Sequence, residues 1–172
     1  MTPDSTARSE LLGVLNWLLF RALGPPGRCW EGPRPVDLAE LETLVGGREL
    51  LPRVWSRTDR HQLDDDLDQE GIGAIEREFQ HAVAVEIRDH ETCRRLACLA
   101  DVCETPLIIL KGVALQIAGY VEPGVRRAAD IDVLVAEPAV ESFYRALVEE
   151  GGRPRDLPGS DQHLPAVEHP SG

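Results

Sequence analysis

The apolar residues of this 172-residue chain change their spacing near residue 104. Between about residues 72 and 102 they recur at threes and fours, which places them on one face of a long helix. These residues are Ile75, Phe79, Ala82, Val83, Ile87, Cys93, Ala97 and Ala100. Beyond residue 104, short continuous apolar runs alternate with helical segments. The change of period predicts a helical region at 1–103 and an α/β core at 104–172.

Three shorter helices are predicted ahead of the long one. Leu11 to Ala22 forms an apolar helix that ends at "GPPG", because proline and glycine cannot continue it. "PVDLAELETLVGG" predicts a second helix, with Asp37 as N-cap and the Gly46-Gly47 pair as its stop. "ELLPRVWSRTDR" predicts a third, with Trp55 packed inward.

The acidic run from Asp64 to Asp68 invites comparison with a metal-binding loop. It lacks the glycine at position six and the closing glutamate of a calcium-binding loop. We interpret it instead as the solvated start of a helix, where negative charge is favoured.

The second region has the order strand, helix, strand, helix. "TPLIILKG" reads as a buried strand, "VALQIAGY" as a helix, and "DIDVLV" as the next strand. "EPAVESFYRALVEEGG" predicts a further helix, with Pro138 in its first turn and Gly151 just beyond its end. The last twenty residues contain no apolar run, so we predict no strand there.

Two carboxylates, Asp130 and Asp132, stand in the second strand. Residues i and i+2 of a strand project to the same face, about 6.6 Å apart along the backbone. That is too far for sharing one proton but suits two side chains that converge on a divalent cation. Oxygen ligands of this kind favour magnesium. The alternative is that Asp130 caps a turn and Asp132 faces solvent.

Basic and glycine residues flank this acidic pair. "LKG" ends the preceding strand where a helix begins, so the N–H groups of Gly112 and Val113 are available to an anion, and Lys111 adds a positive charge. Arg126 and Arg127 come shortly before the aspartates, where one of them can contact phosphate. Together these residues predict phosphate binders and metal carboxylates at adjacent strand ends.

Charge and composition exclude several classes of protein. The net charge of −12 disfavours broad nucleic-acid binding. No run approaches the roughly 18 apolar residues that a membrane span requires. The spacing of Cys93, Cys98 and Cys103 points them in three directions around a helix, and there is no C-x-x-C pair. With Cys29 they indicate the reduced thiols of a cytoplasmic protein.

The segment "LIILKGVALQIAGYVEPGVRRAADIDVLV" resembles the core signature of an uncharacterised bacterial nucleotidyltransferase-like family within the polymerase-beta superfamily. The shared pattern is Leu-Lys-Gly, a helix, and then arginine a few residues before an Asp-x-Asp strand. The next helix and "HLPAVEHPSG" resemble the family's following helix and its histidine-proline loop. The resemblance spans about residues 75–172 and is strongest from 107 to 135.

This resemblance implies magnesium-dependent transfer of a nucleoside monophosphate from an NTP to an unknown acceptor. By that analogy Asp130 and Asp132 are catalytic and hold one or two Mg²⁺ ions. Lys111, Gly112 and Arg126 would bind the triphosphate.

The implied fold is an N-terminal helical region followed by an incomplete polymerase-beta-type nucleotidyltransferase core. Superfamily enzymes carry a third carboxylate on a later strand, whereas Glu168 falls in the histidine-proline loop and the sequence stops at Gly172. We therefore expect the front part of a longer protein.

Three hypotheses follow from the sequence. The first is a nucleotidyltransferase, with an incomplete site within these residues. The second is a non-catalytic nucleotide-binding regulatory or interaction protein that keeps the fold. The third is a helical adaptor in which the Asp-x-Asp pattern is accidental.

Overall fold

A computed structural model of the protein describes residues 5–25, 28, 30–32, 47–155 and 166–168. The described chain is mainly helical. Its helices are α1 (Ser5–Leu23), α2 (Gly47–Arg57), α3 (Arg60–Asp66), α4 (Gln69–Val102), α5 (Lys111–Ile117) and α6 (Val140–Glu149), with a 3₁₀ turn at Glu137–Ala139. Its strands are β1 (Leu107–Ile109), β2 (Val133–Val135), β3 (Arg153–Arg155) and β4 (Ala166–Glu168).

Helix α1 confirms the predicted first helix and extends it toward the N-terminus. At its C-terminal end, the N–H of Gly24 donates to the carbonyl oxygen of Phe20 over 2.8 Å. A Cβ atom on Gly24 would lie 2.3 Å from that oxygen, so only glycine fits this end. The helix predicted over residues 35–47 lies outside the described residues, except that Gly47 begins α2.

The predicted third helix is confirmed as α2. It contains a fully buried Pro52, and Trp55 is partly buried. The Trp55 ring contacts Phe79 of α4, with 6.4 Å between the ring centroids. The inward packing of Trp55 is therefore confirmed.

The long helix is confirmed as α4. The predicted burial is wrong for two residues of its apolar face. Ile87 is 66% exposed and Ala97 is also exposed. The buried positions at the middle of the helix are instead polar, Glu86 and Asp89. They continue the spacing of threes and fours between Ala82 and Cys93, so the helix buries two carboxylates.

The chain divides into two compact units. The first comprises Met1–Arg88 and Leu115–Ala129, and the second comprises Asp89–Ala114 and Asp130–Gly172. The core of the first unit is formed by α1, α2, α3 and the start of α4. Its buried side chains are Val14, Trp17, Leu18, Ala22, Leu51, Val54, Leu63, Ile72 and Ile75. None of the described helices is long and apolar enough to cross a membrane.

The acidic run is only partly a solvated helix start. Asp68 does precede α4, and its Oδ1 accepts a hydrogen bond from the N–H of Gly71 over 2.8 Å. Asp66, however, is only 8% exposed. Its Oδ2 accepts from Trp17 Nε1 at 2.8 Å and from Arg21 Nε at 2.8 Å. The prediction of solvation is wrong for Asp66, because α1 supplies the donors that water would otherwise provide.

In the second unit, β1 pairs antiparallel with β2, with Ile108 opposite Leu134. Both side chains are about half exposed, at 53% and 54%. The prediction of buried strands is therefore wrong for this face, although the residues on either side of each are partly buried. Other side chains of this unit, Val113 and Phe143 among them, are buried.

The C-terminal part of the second unit both confirms and corrects the sequence analysis. Helix α6 follows Pro138 and ends ahead of Gly151, whose φ of +98° only glycine adopts readily. The prediction of no strand beyond it is wrong. Strands β3 and β4 pair antiparallel, and Glu168 belongs to β4 opposite Arg153. Main-chain hydrogen bonds form this pair of strands, and they do not require a run of apolar side chains.

Candidate functional site

The antiparallel register of β1 and β2 brings the two predicted motifs together. The C-terminal end of β1 continues into "LKG", and it lies beside the N-terminal end of β2, where the aspartates stand. The N–H of Leu110 donates to the carbonyl oxygen of Asp132 over 2.9 Å, one step beyond the strand pairing. Asp130 and Asp132 therefore precede β2 instead of lying within it, which corrects the predicted strand of residues 130–135.

An ion pair joins the two motifs. The Nζ of Lys111 lies 3.0 Å from Oδ2 of Asp132. The hydrogen bond to Asp132 and the charge of that carboxylate raise the pKa of Lys111, and the charge of Asp130 adds to the effect. Both carboxylates thus act on the same ammonium group. The lysine side chain is 73% exposed and that of Asp132 is 31% exposed, so water reaches the pair.

The donor chemistry of the acidic pair fits magnesium. Mg²⁺ prefers oxygen ligands and often binds through one or two carboxylates together with substrate phosphates. One positive group, the ammonium of Lys111, already lies beside Asp132. Within the residues that the structure describes, no group of three or more Asp, Glu, His or Cys side chains is arranged around a common metal position.

The backbone at Lys111 has an unusual conformation. Lys111 is the first residue of α5 and has φ +54°, in the left-handed region that residues with a Cβ rarely adopt. Gly112 follows in the first turn, and Val113 is 1% exposed. The strand-to-helix junction predicted at "LKG" is confirmed. The buried Val113 fixes the start of the helix, while the lysine side chain extends into solvent.

The two arginines lie in the first unit and differ in their partners. Arg127 Nη1 is 3.7 Å from Oε2 of Glu78, and both side chains are partly buried. Arg126 is exposed, and its side chain has no ion-pair partner in the part of the chain that is described. Its carbonyl oxygen accepts a hydrogen bond from Gln116 Nε2. Of the two arginines considered for one phosphate contact, Arg126 is therefore the one whose guanidinium is not paired with a carboxylate in the described part of the chain.

The loop that carries these arginines is attached to α4 by a buried carboxylate that sequence reasoning missed. Glu86 Oε2 accepts a hydrogen bond from the N–H of Gly124 over 2.7 Å. Gly124 has φ +74°, and a Cβ there would lie 2.6 Å from Val83 and 2.9 Å from Phe79. Glu86 falls on the spacing of threes and fours along α4. The spacing would have identified Glu86 as buried if the prediction had considered polar as well as apolar residues.

Comparison with known proteins identifies the family. The sequence model of the family described as "uncharacterised nucleotidyltransferase" matches residues 34–170, which is most of the chain. The chain belongs to this family. No curated protein and no solved structure matches it.

Proposed function

We propose that this protein transfers a nucleoside monophosphate from an NTP to an acceptor in a magnesium-dependent reaction. Membership of the nucleotidyltransferase family supports nucleotidyl transfer as the activity. The observation that supports the site is the contact of Lys111 with Asp132, which groups one phosphate-binding candidate with the acidic pair.

The reaction requires attack by an acceptor nucleophile on the α-phosphorus of the NTP. A bond forms from the acceptor to that phosphorus, the bond to the β-phosphate oxygen breaks, and pyrophosphate leaves with the electron pair. The proton of the acceptor passes to solvent water. Magnesium, when bound, neutralises the charge that develops on the phosphate oxygens.

Residues of the chain have separate roles in this proposal. Asp130 and Asp132 hold Mg²⁺ through their carboxylate oxygens. Lys111 and Gly112 bind the triphosphate at the strand-to-helix junction. A lysine ammonium is a compact charge suited to a phosphate oxygen, and a residue without a Cβ lets phosphate approach the backbone. The sequence resemblance alone implies that Arg126 would be a further ligand of the triphosphate.

The decisive variant replaces both carboxylates, Asp130→Asn with Asp132→Asn. It should abolish transfer of a radiolabelled nucleotide from NTP, because the metal ligands are lost, while the thermal unfolding curve stays close to that of wild type. Asp101→Asn is the matched control, since Asp101 is an exposed aspartate of the same unit outside the site.

The outcomes separate the hypotheses. Transfer by the double variant at the wild-type rate would overturn the metal-site assignment. Magnesium-dependent NTP binding by the wild-type protein with no transfer to any acceptor would favour the non-catalytic nucleotide-binding protein. Absence of both would favour the helical adaptor.

A further inference from the structure

The chain has 18 lysines and arginines, and Lys111 is the only lysine among them. Lysine and arginine bind a carboxylate differently. The guanidinium of arginine binds a carboxylate through two parallel hydrogen bonds, whereas the ammonium of lysine is a single, strongly hydrated charge on a flexible stem. The chain therefore places its one monodentate, easily released cation against Asp132.

The geometry of the pair allows the ammonium of Lys111 to leave Asp132. The Nζ of Lys111 lies 3.0 Å from Oδ2 of Asp132, and the lysine side chain is 73% exposed. By contrast, the main chain beneath it is fixed by the hydrogen bond from Leu110 to Asp132. The lysine side chain can leave the carboxylate without disturbing the strand pairing.

The left-handed backbone of Lys111 points to a role for its side chain. Glycine adopts φ +54° without steric cost, whereas lysine does not. The conformation is compatible with an exposed side chain, and it sets the lysine directly at the strand-to-helix junction next to the acidic pair.

We propose that Lys111 is an exchangeable counter-ion, which neutralises Asp132 in the metal-free protein, leaves it when a divalent cation binds, and then contacts a phosphate oxygen of the nucleotide. The proposal rests on the function proposed above. Two cations repel each other at one carboxylate, so the ammonium and Mg²⁺ compete for Asp132. After displacement, the ammonium is available to an anion that arrives with the metal. The preferred substrate is accordingly the magnesium complex of a nucleoside triphosphate.

The proposal predicts effects of opposite sign for one substitution. Without nucleotide, Lys111→Met should bind Mn²⁺, followed by electron paramagnetic resonance, about two- to fivefold more tightly than wild type, because a competitor of the strength of an exposed ion pair is removed. With Mg²⁺ and α,β-methylene-ATP, the same variant should bind the analogue about tenfold or more weakly, because a charge-assisted hydrogen bond is lost.

Two further variants at residue 111 test whether competition for Asp132 causes the change in Mn²⁺ affinity. Lys111→Arg should bind Mn²⁺ more weakly than wild type, since arginine grips the carboxylate through two hydrogen bonds. Lys111→Gly should match Lys111→Met in Mn²⁺ affinity although it also relieves the left-handed backbone. Arg145→Met is the control for net charge, because it removes an exposed arginine of the same unit that pairs with Glu141.

The single lysine also allows direct observation. Protein with ¹⁵N-labelled lysine has one side-chain Nζ signal, and that signal should shift when Mg²⁺ is added and again when the analogue follows. A wild-type or lower affinity of Lys111→Met for Mn²⁺, or an Nζ signal unmoved by Mg²⁺, would overturn the exchange. Wild-type Mn²⁺ affinity in the Asp130→Asn, Asp132→Asn double variant would instead overturn the metal site of the proposed function.

Discussion

Each unit of the protein contains an aspartate paired with a basic residue, and the two pairs have opposite surroundings. In the first unit, Asp66 and Arg21 are buried, with side-chain exposures of 8% and 4%, and Trp17 adds a further donor. In the second unit, the ion pair of Asp132 and Lys111 is open to water, with side-chain exposures of 31% and 73%. A buried pair that loses one partner leaves an uncompensated charge, whereas an exposed pair contributes little to stability. We therefore expect the first pair to maintain the fold, whereas the second contributes little to stability and can take part in the proposed function.

The largest expected effect tests this difference directly. Asp66→Ala should reduce the free energy of unfolding by about 3–5 kcal/mol, because it leaves Arg21 buried without its partner. Urea denaturation measures the loss. Asp132→Ala is the matched variant and should leave the unfolding midpoint unchanged within error. Equal losses for both variants would show that the two pairs do not differ as their exposures indicate.

A second pair of variants compares two glycines of the first unit that share one backbone conformation. Gly124→Ala should reduce stability by about 2–4 kcal/mol, since it adds overpacking against Val83 and Phe79 to the cost of a left-handed residue. Gly119 has φ +73°, but a methyl group at its Cα would meet nothing within 4 Å, so Gly119→Ala should cost only about 1 kcal/mol. Thermal and urea unfolding measure both values.

If the two alanine variants lose the same stability, the loop that carries Arg126 is not packed against Val83 and Phe79 of α4. The anchoring of that loop by Glu86 would then need another explanation.

The smallest expected effect concerns a buried and an exposed thiol, Cys93 and Cys98. Burial raises the pKa of Cys93, and the negative charge of Asp89 raises it further. The thiolate is the reactive form, so Cys93 should be alkylated by iodoacetamide more slowly than the exposed Cys98 at mildly alkaline pH. The rate at Cys93 should begin to rise only at higher pH than for a free thiol. Peptide-resolved mass spectrometry follows both sites.

Denaturation in urea provides the control for this experiment, since it should make the two cysteines react alike. Faster reaction at Cys93 than at Cys98 in the native protein would contradict the burial of that face of α4.

The elements that depend on local pattern were predictable. The period of α4, the helix after Pro138 and the junction at "LKG" all follow from residues adjacent in sequence. The shortness of β2 was not predictable, because its length depends on its partner β1, which is itself only three residues long. Nor was β4, which has no apolar run and is defined by main-chain pairing with β3.

Sequence alone determined the helical periods, the family pattern and the presence of an acidic pair beside a lysine. Only the tertiary structure decided which aspartates are buried and which remain in water. Asp66 is indistinguishable from its acidic neighbours in the sequence, and the donors that allow its burial lie 45 and 49 residues away. The cost of burying a charge depends on such distant partners, so a local pattern does not contain it.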